Sequence, residues 1–150
     1  MAVDPGGPRL AQIARVRGLR LSRAAADALA AAEEAAAALD RARADHAAAI
    51  AARAEARQAF TRTPACSQAR LWLDHSIALE AGAAAYVAER HMRLDLARDA
   101  HGEAFRAVGR HQLRSDTIAD HRRAAIRVEQ RRVEDRLEAD MPMTVRSHMS

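Results

Sequence analysis

The residues that draw the eye as chemistry are four histidines, His91, His101, His111 and His121, which recur every ten residues. A repeat of imidazoles invites a metal-site reading. Ten helical residues, however, advance about 15 Å and rotate the side chain off its original face. A helical metal pair needs ligands three or four apart, and no two histidines here have that spacing. They read as solvated or seam-edge side chains. Cys66 has no partner cysteine and no evident base beside it, so it is an incidental thiol rather than a nucleophile. Carboxylates are scattered among arginines at helical intervals, the pattern of intrahelical ion pairs. No glycine-rich phosphate loop follows a strand. The expectation is no catalytic residue, no metal, no cofactor and no enzymatic activity.

The elements that carry these residues are helical. Alanine supplies most of the 49% hydrophobic content, aromatics amount to 3%, and glycine and proline number only 6 and 4 in 150 residues. Alanine favours helix but removes little apolar area from water, so the chain has helix formers without material for a thick core. Such compositions belong to long helices and coiled coils. All 24 basic residues are arginine, and the formal net charge is +4. A single cysteine excludes an intrachain disulfide and fits a reducing compartment. The longest run free of Asp, Glu and Arg is Ala81 to Ala88, far short of a membrane span.

The chain breaks once, at Thr61 to Ser67, around Pro64. Proline cannot sit inside an undisturbed helix but suits its first position, with Thr63 before it as N-cap and Ser67 as an alternative cap. The expected fold is therefore all-α: two long antiparallel helices forming a coiled-coil hairpin, the second helix longer. Residues 9–140 make the hairpin, the bend lies near 61–67, and residues 1–8 and 141–150 are disordered tails. The first eight residues lack the basic flank and apolar stretch of a secretory signal.

In the first arm, Leu29, Leu39, Ile50 and Phe60 are separated by 10, 11 and 10 residues, near three turns of a coiled-coil repeat, and form the expected seam. Ala32, Ala36 and Ala49 lie on or near it. In the second arm Leu71, Trp72 and Leu73 form a dense apolar cluster. Ile77, Val87, Leu94, Phe105 and Val108 continue the seam, and Ile118, Ile126, Val133 and Leu137 extend it less regularly. Folding back at Pro64 sets residues 9–23 beside about 105–120. Gly18 then falls near Gly109, either a close approach of backbones or two incidental helix defects.

Two arginine-rich zones meet at that end. One holds Arg9, Arg15, Arg17, Arg20 and Arg23, with no acid among them. The other holds Arg114, Arg122, Arg123, Arg127 and Arg131, together with Arg106, Arg110 and Arg132. A basic stem is either a solvated face or a docking surface, and concentration of one sign at one end favours docking. Trp72, near the bend, either plugs the hairpin by packing on Phe60 or meets a partner.

The opening Arg9-Leu10-Ala11-Gln12-Ile13-Ala14-Arg15-Val16-Arg17 and the alanine-rich first helix resemble the small stalk proteins of bacterial type III secretion. So do the break near residue 64 and the closing stretch Val128 to Asp140. These are the YscO and HrpO proteins of injectisomes and FliJ of flagella, and the resemblance covers about residues 9–140. It implies a cytoplasmic, non-enzymatic coupling protein, peripheral to the secretion apparatus at the inner membrane and monomeric when free. Its basic stem would enter the pore of the hexameric secretion ATPase. Its tip would reach the cytoplasmic ring of the export gate, and export chaperones are further implied partners. The family's gate contact pairs an aromatic with an aliphatic residue one turn later. Here Ser76 stands four residues after Trp72, so Leu73 and Ile77 take that part. Two other classes remain open: a self-associating helical scaffold, and a basic coiled coil that binds nucleic acid. The interleaved acids and the lack of a recognition motif weigh against the latter.

Overall fold

The computed structural model describes residues 7–140, with side-chain surroundings from Arg9 onward. The expected tails at 1–8 and 141–150 fall outside these residues, apart from Gly7 and Pro8, which open the first helix. Helix α1 runs Gly7–Arg62 and helix α2 runs Ser67–Ala139. Proline is tolerated in a first turn because the amide it lacks has no intrahelical acceptor there. At 56 and 73 residues the helices are about 84 and 110 Å long. They pack against each other, and no strand occurs among the described residues. No helix is long and apolar enough to cross a membrane.

The connection is tighter than expected, and its caps differ. The Cys66 amide donates to the Thr63 carbonyl at 3.0 Å, closing a four-residue turn with Pro64 second. No described residue has positive φ, so the turn is type I, whose second position suits proline's fixed φ. Thr63 does not cap α2. Its amide and its hydroxyl both donate back to the Ala59 carbonyl, at 3.1 and 3.0 Å, and so finish α1. The first bond of α2 runs from the Arg70 amide to the Cys66 carbonyl at 3.2 Å. Cys66 therefore holds the cap position, in place of Thr63 or Ser67, and Pro64 lies in the turn rather than in the helix.

Two compact units make up the chain: Leu19–Val108, which contains the connection, and a terminal unit that joins Met1–Gly18 to Gly109–Ser150. In the Leu19–Val108 unit the buried residues follow a strict heptad. On α1, Ala32, Leu39, Ala42 and Ala56 are buried, while Ala25, Ala28, Ala35, His46, Ala49 and Phe60 are half-buried at the intervening 3–4 steps. One of the two columns of this seam is alanine at five successive heptads: Ala28, Ala35, Ala42, Ala49 and Ala56. The other carries Leu39, His46, Arg53 and Phe60. On α2 the same alternation runs through Ala69, Leu73, Ser76, Glu80, Ala83, Val87, Arg90, Leu94, Ala97, His101, Ala104 and Val108.

This differs from the seam expected from the large apolar residues. Leu39 lies in it, and Phe60 partly so, but Leu29 and Ile50 sit one position off the heptad and are 44% and 48% exposed. Phe105 is exposed at 68%, in tilted contact with His101 at 6.3 Å between ring centres, rather than in the seam. Val87, Leu94 and Val108 hold the places expected of them, whereas Ile77 sits one position off the seam and is exposed. A seam this poor in large side chains removes modest area from water, and Leu39 and Leu94 are its largest buried members.

Candidate functional site: the arginine-rich terminal unit

Antiparallel packing within the terminal unit is fixed by Gly18. A Cβ built there would lie 3.0 Å from Nε2 and 3.2 Å from Cδ2 of His111, so the imidazole occupies the place a side chain would take. Gly109 has nothing within 4 Å of such an atom, so the close approach joins Gly18 to His111 and not to Gly109. Farther along, Leu10, Ala11 and Ala14 of α1 and Ser115, Ile118 and Ala119 of α2 floor an open groove of about 690 Å³, with Arg122 and Arg123 on its rim. Residue i of α1 thus faces about 129 − i of α2. Gly7, the first described residue of α1, comes level with about residue 122.

Two consequences follow for α2. Ser115 is its last half-buried residue, and every residue from Asp116 to Asp140 is exposed. Beyond Arg122 the helix runs on for about 25 Å without α1 beside it. Ile126, Val133 and Leu137 therefore do not extend the seam, for want of α1 opposite them, and Ile118, level with Ala11, stays 56% exposed at the groove. Ile126, Val133 and Leu137 stand exposed at 57%, 45% and 62%.

The charge is as uneven as the packing. In Leu19–Val108 twelve arginines balance twelve carboxylates. The described part of the terminal unit carries eleven arginines against seven carboxylates, so its excess equals the +4 of the whole chain. Arg9, Arg15, Arg17, Arg114, Arg122, Arg123, Arg127 and Arg131 all lie in this unit and are exposed. Arg20 and Arg23, also exposed, belong to the other unit. Arg123 pairs with Asp120 at 2.7 Å and Arg132 approaches Glu129 at 3.8 Å. Both are exposed i,i+3 pairs, worth about 0–1 kcal/mol at most, so these arginines remain available to an external anion.

Near the connection, Trp72 is 44% exposed, and no aromatic ring pairs with it among the described residues. It does not plug the hairpin on Phe60. Ile77 is 43% exposed and Leu71 68%. Leu73 is instead a half-buried seam residue, so of the expected triad only Trp72 and Ile77 present substantial surface. Ser76 is 2% exposed, and its hydroxyl donates to the Trp72 carbonyl at 2.8 Å. An aliphatic side chain at that position would point into the seam and not toward a partner.

The histidines fall where helical geometry puts them. His91 lies 3.2 Å from Asp95 on the same helix face, His101 and His111 are seam positions, and His121 is exposed. No group of three potential ligands that could hold a metal occurs among the described residues. Two features escaped the sequence. The Arg53 guanidinium donates to Glu80 across the helices at 2.9 Å. Arg90 occupies a seam position with its Nε buried and unpaired, while the rest of the guanidinium lies over the Tyr86 ring, 4.5 Å from its centre, and donates to the Tyr86 hydroxyl. Heptad phase could have flagged both, since Arg53 and Arg90 break the apolar columns.

Compared with known proteins, the chain matches no family model, no curated protein and no solved structure.

Proposed function

We propose that this protein is a non-catalytic coupling element of a type III secretion apparatus, a stalk that binds the hexameric secretion ATPase through its basic terminal unit. The observation that carries the reading is the partition of charge. One unit is neutral, and the other holds the entire positive excess, most of it on α1 through Arg9, Arg15 and Arg17, which have no acid among them. An acid-lined pore would attract and hold such an end, and the planar, weakly hydrated guanidinium suits contacts with carboxylates. Trp72 and Ile77 form the second contact, with the export-gate ring, and export chaperones are further candidate partners. On this reading the protein works in the cytoplasm, at the inner-membrane base of the apparatus.

The test is stimulation of the ATPase by the wild type and by a variant with Arg15, Arg17, Arg20, Arg123 and Arg127 changed to Glu. All five are exposed, so helix content by circular dichroism should be unchanged. Stimulation should be lost in the variant and, for the wild type, should weaken steeply as salt is raised. Equal stimulation by both proteins would sink the proposal.

A further inference from the structure

The unaccompanied end of α2 has a face of its own. Ile126, Gln130, Val133 and Leu137 recur at spacings of 4, 3 and 4, a coiled-coil stripe of heptad kind. It is offset by one position from the seam that ends at Ser115, so it forms a separate surface. An apolar stripe at this spacing requires a second helix, and the charges beside it specify which one.

We infer that the stripe is covered by the same stretch of a second copy of this chain, running antiparallel. Place Ile126 opposite Leu137 of the second copy, so that Gln130 meets Val133. One flank then sets Arg127 against Glu134 of the copy, and the other sets Glu129 against Arg136. At the end of the stripe Arg123 meets Asp140. Two-fold symmetry repeats each contact, so every flanking pair joins opposite charges. A parallel pair would instead put Glu129 against Glu134, Arg122 against Arg127 and Arg123 against itself. Flanking charges of this kind choose partner and orientation in coiled coils.

Length supports the same partner independently. The antiparallel copy would reach residue 123 with its Asp140, and α1 begins level with about residue 122. The unaccompanied segment is therefore as long as the helix proposed to cover it. Three apolar side chains per copy over about 25 Å make a small interface, at the low end of those that form specific complexes, so association is concentration-dependent. Free monomer and dimer coexist, in place of the purely monomeric state that the stalk resemblance implies. Arg127 serves both this contact and ATPase docking, so the paired form is closed to the ATPase and the monomer is open to it.

Sedimentation equilibrium on the full chain, over about 5 to 500 µM, reads the association directly. The expected result is a mass rising from 16.3 kDa toward twice that value. Arg127→Glu alone, or Glu134→Arg alone, places like charges together twice per dimer and should weaken association at least about tenfold. The double swap, Arg127→Glu with Glu134→Arg, restores opposite pairs and should recover the wild-type constant, which a damaged fold would not do. In a Cys66→Ser background, Ile126→Cys mixed with Leu137→Cys should form a mixed disulfide. Ile126→Cys alone should not, because its two copies stand about 16 Å apart along the pair. Monomer at every concentration, a double swap as weak as the single changes, or a ready Ile126→Cys homodisulfide would each overturn the inference. ATPase stimulation by the wild-type chain is the separate readout, because Arg127 belongs to the docking set. Pairing with no stimulation by the wild type would count against the proposed function alone.

Discussion

Replacing Gly18 with alanine tests how the two helices are set against each other beside the arginine cluster. Alanine in a helix interior is more favourable than glycine by about 0.8–1.0 kcal/mol. Gly109, with open space around its missing Cβ, should give that full gain. At Gly18 the new methyl would meet His111 Nε2 at 3.0 Å, so the imidazole must move by a few tenths of an ångström. Displacing a half-buried ring from its rotamer costs about 0.5–1.5 kcal/mol, comparable to the helix gain and opposite in sign. Gly18→Ala should therefore leave stability nearly unchanged, while Gly109→Ala raises the melting temperature by about 2–4 °C. In a His111→Ala background the two substitutions should stabilise equally. The assay is thermal or urea unfolding followed by helical circular dichroism, read as a double-mutant cycle. Equal gains from Gly18→Ala with and without His111 would refute the register, and with it the placement of Gly7 level with residue 122.

Leu94→Ala, at a site 4% exposed, should cost about 2–3 kcal/mol, whereas Leu96→Ala, at 70% exposed, should change stability by less than about 0.5 kcal/mol; urea midpoints distinguish them. Trp72→Ala should leave the unfolding midpoint within about 0.5 kcal/mol of wild type while abolishing binding to the export-gate ring, measured by co-purification or calorimetry. A large loss of stability at Trp72 would show that the indole serves packing after all.

The break at Pro64 and the order of long helices were legible because proline and alanine act locally, through the backbone. The seam was legible only in part. Reading it from Leu29, Ile50 and Phe105 assumes that large apolar side chains mark the buried face. In a two-helix pair with little core, closeness of the backbones matters more, and the heptad of alanines through Ala42 and Ala56 carries it. The caps were misassigned because Thr63 can hydrogen-bond forward as an N-cap or backward to Ala59, and composition does not choose between them. The arginine zones were visible as sequence clusters. That the two zones join in one unit holding the whole charge excess required the register between α1 and α2. Heptad phase marks Arg53 as a break in its column, but its pairing with Glu80 across 27 residues depends on that same register.

The five-alanine column of α1 has a bearing on movement. Sliding α1 by one heptad, about 10.5 Å, would bring a methyl to the place of a methyl at four of its five steps, so this column offers almost no resistance to the shift. What holds the helices in step is the neighbouring column: Leu39 wedged in place, the ring of Phe60, and the grip of Arg53 on Glu80. Together with His111 seated on Gly18, these few side chains are the lock on axial position, and cutting them all would free a ratchet whose teeth are alike.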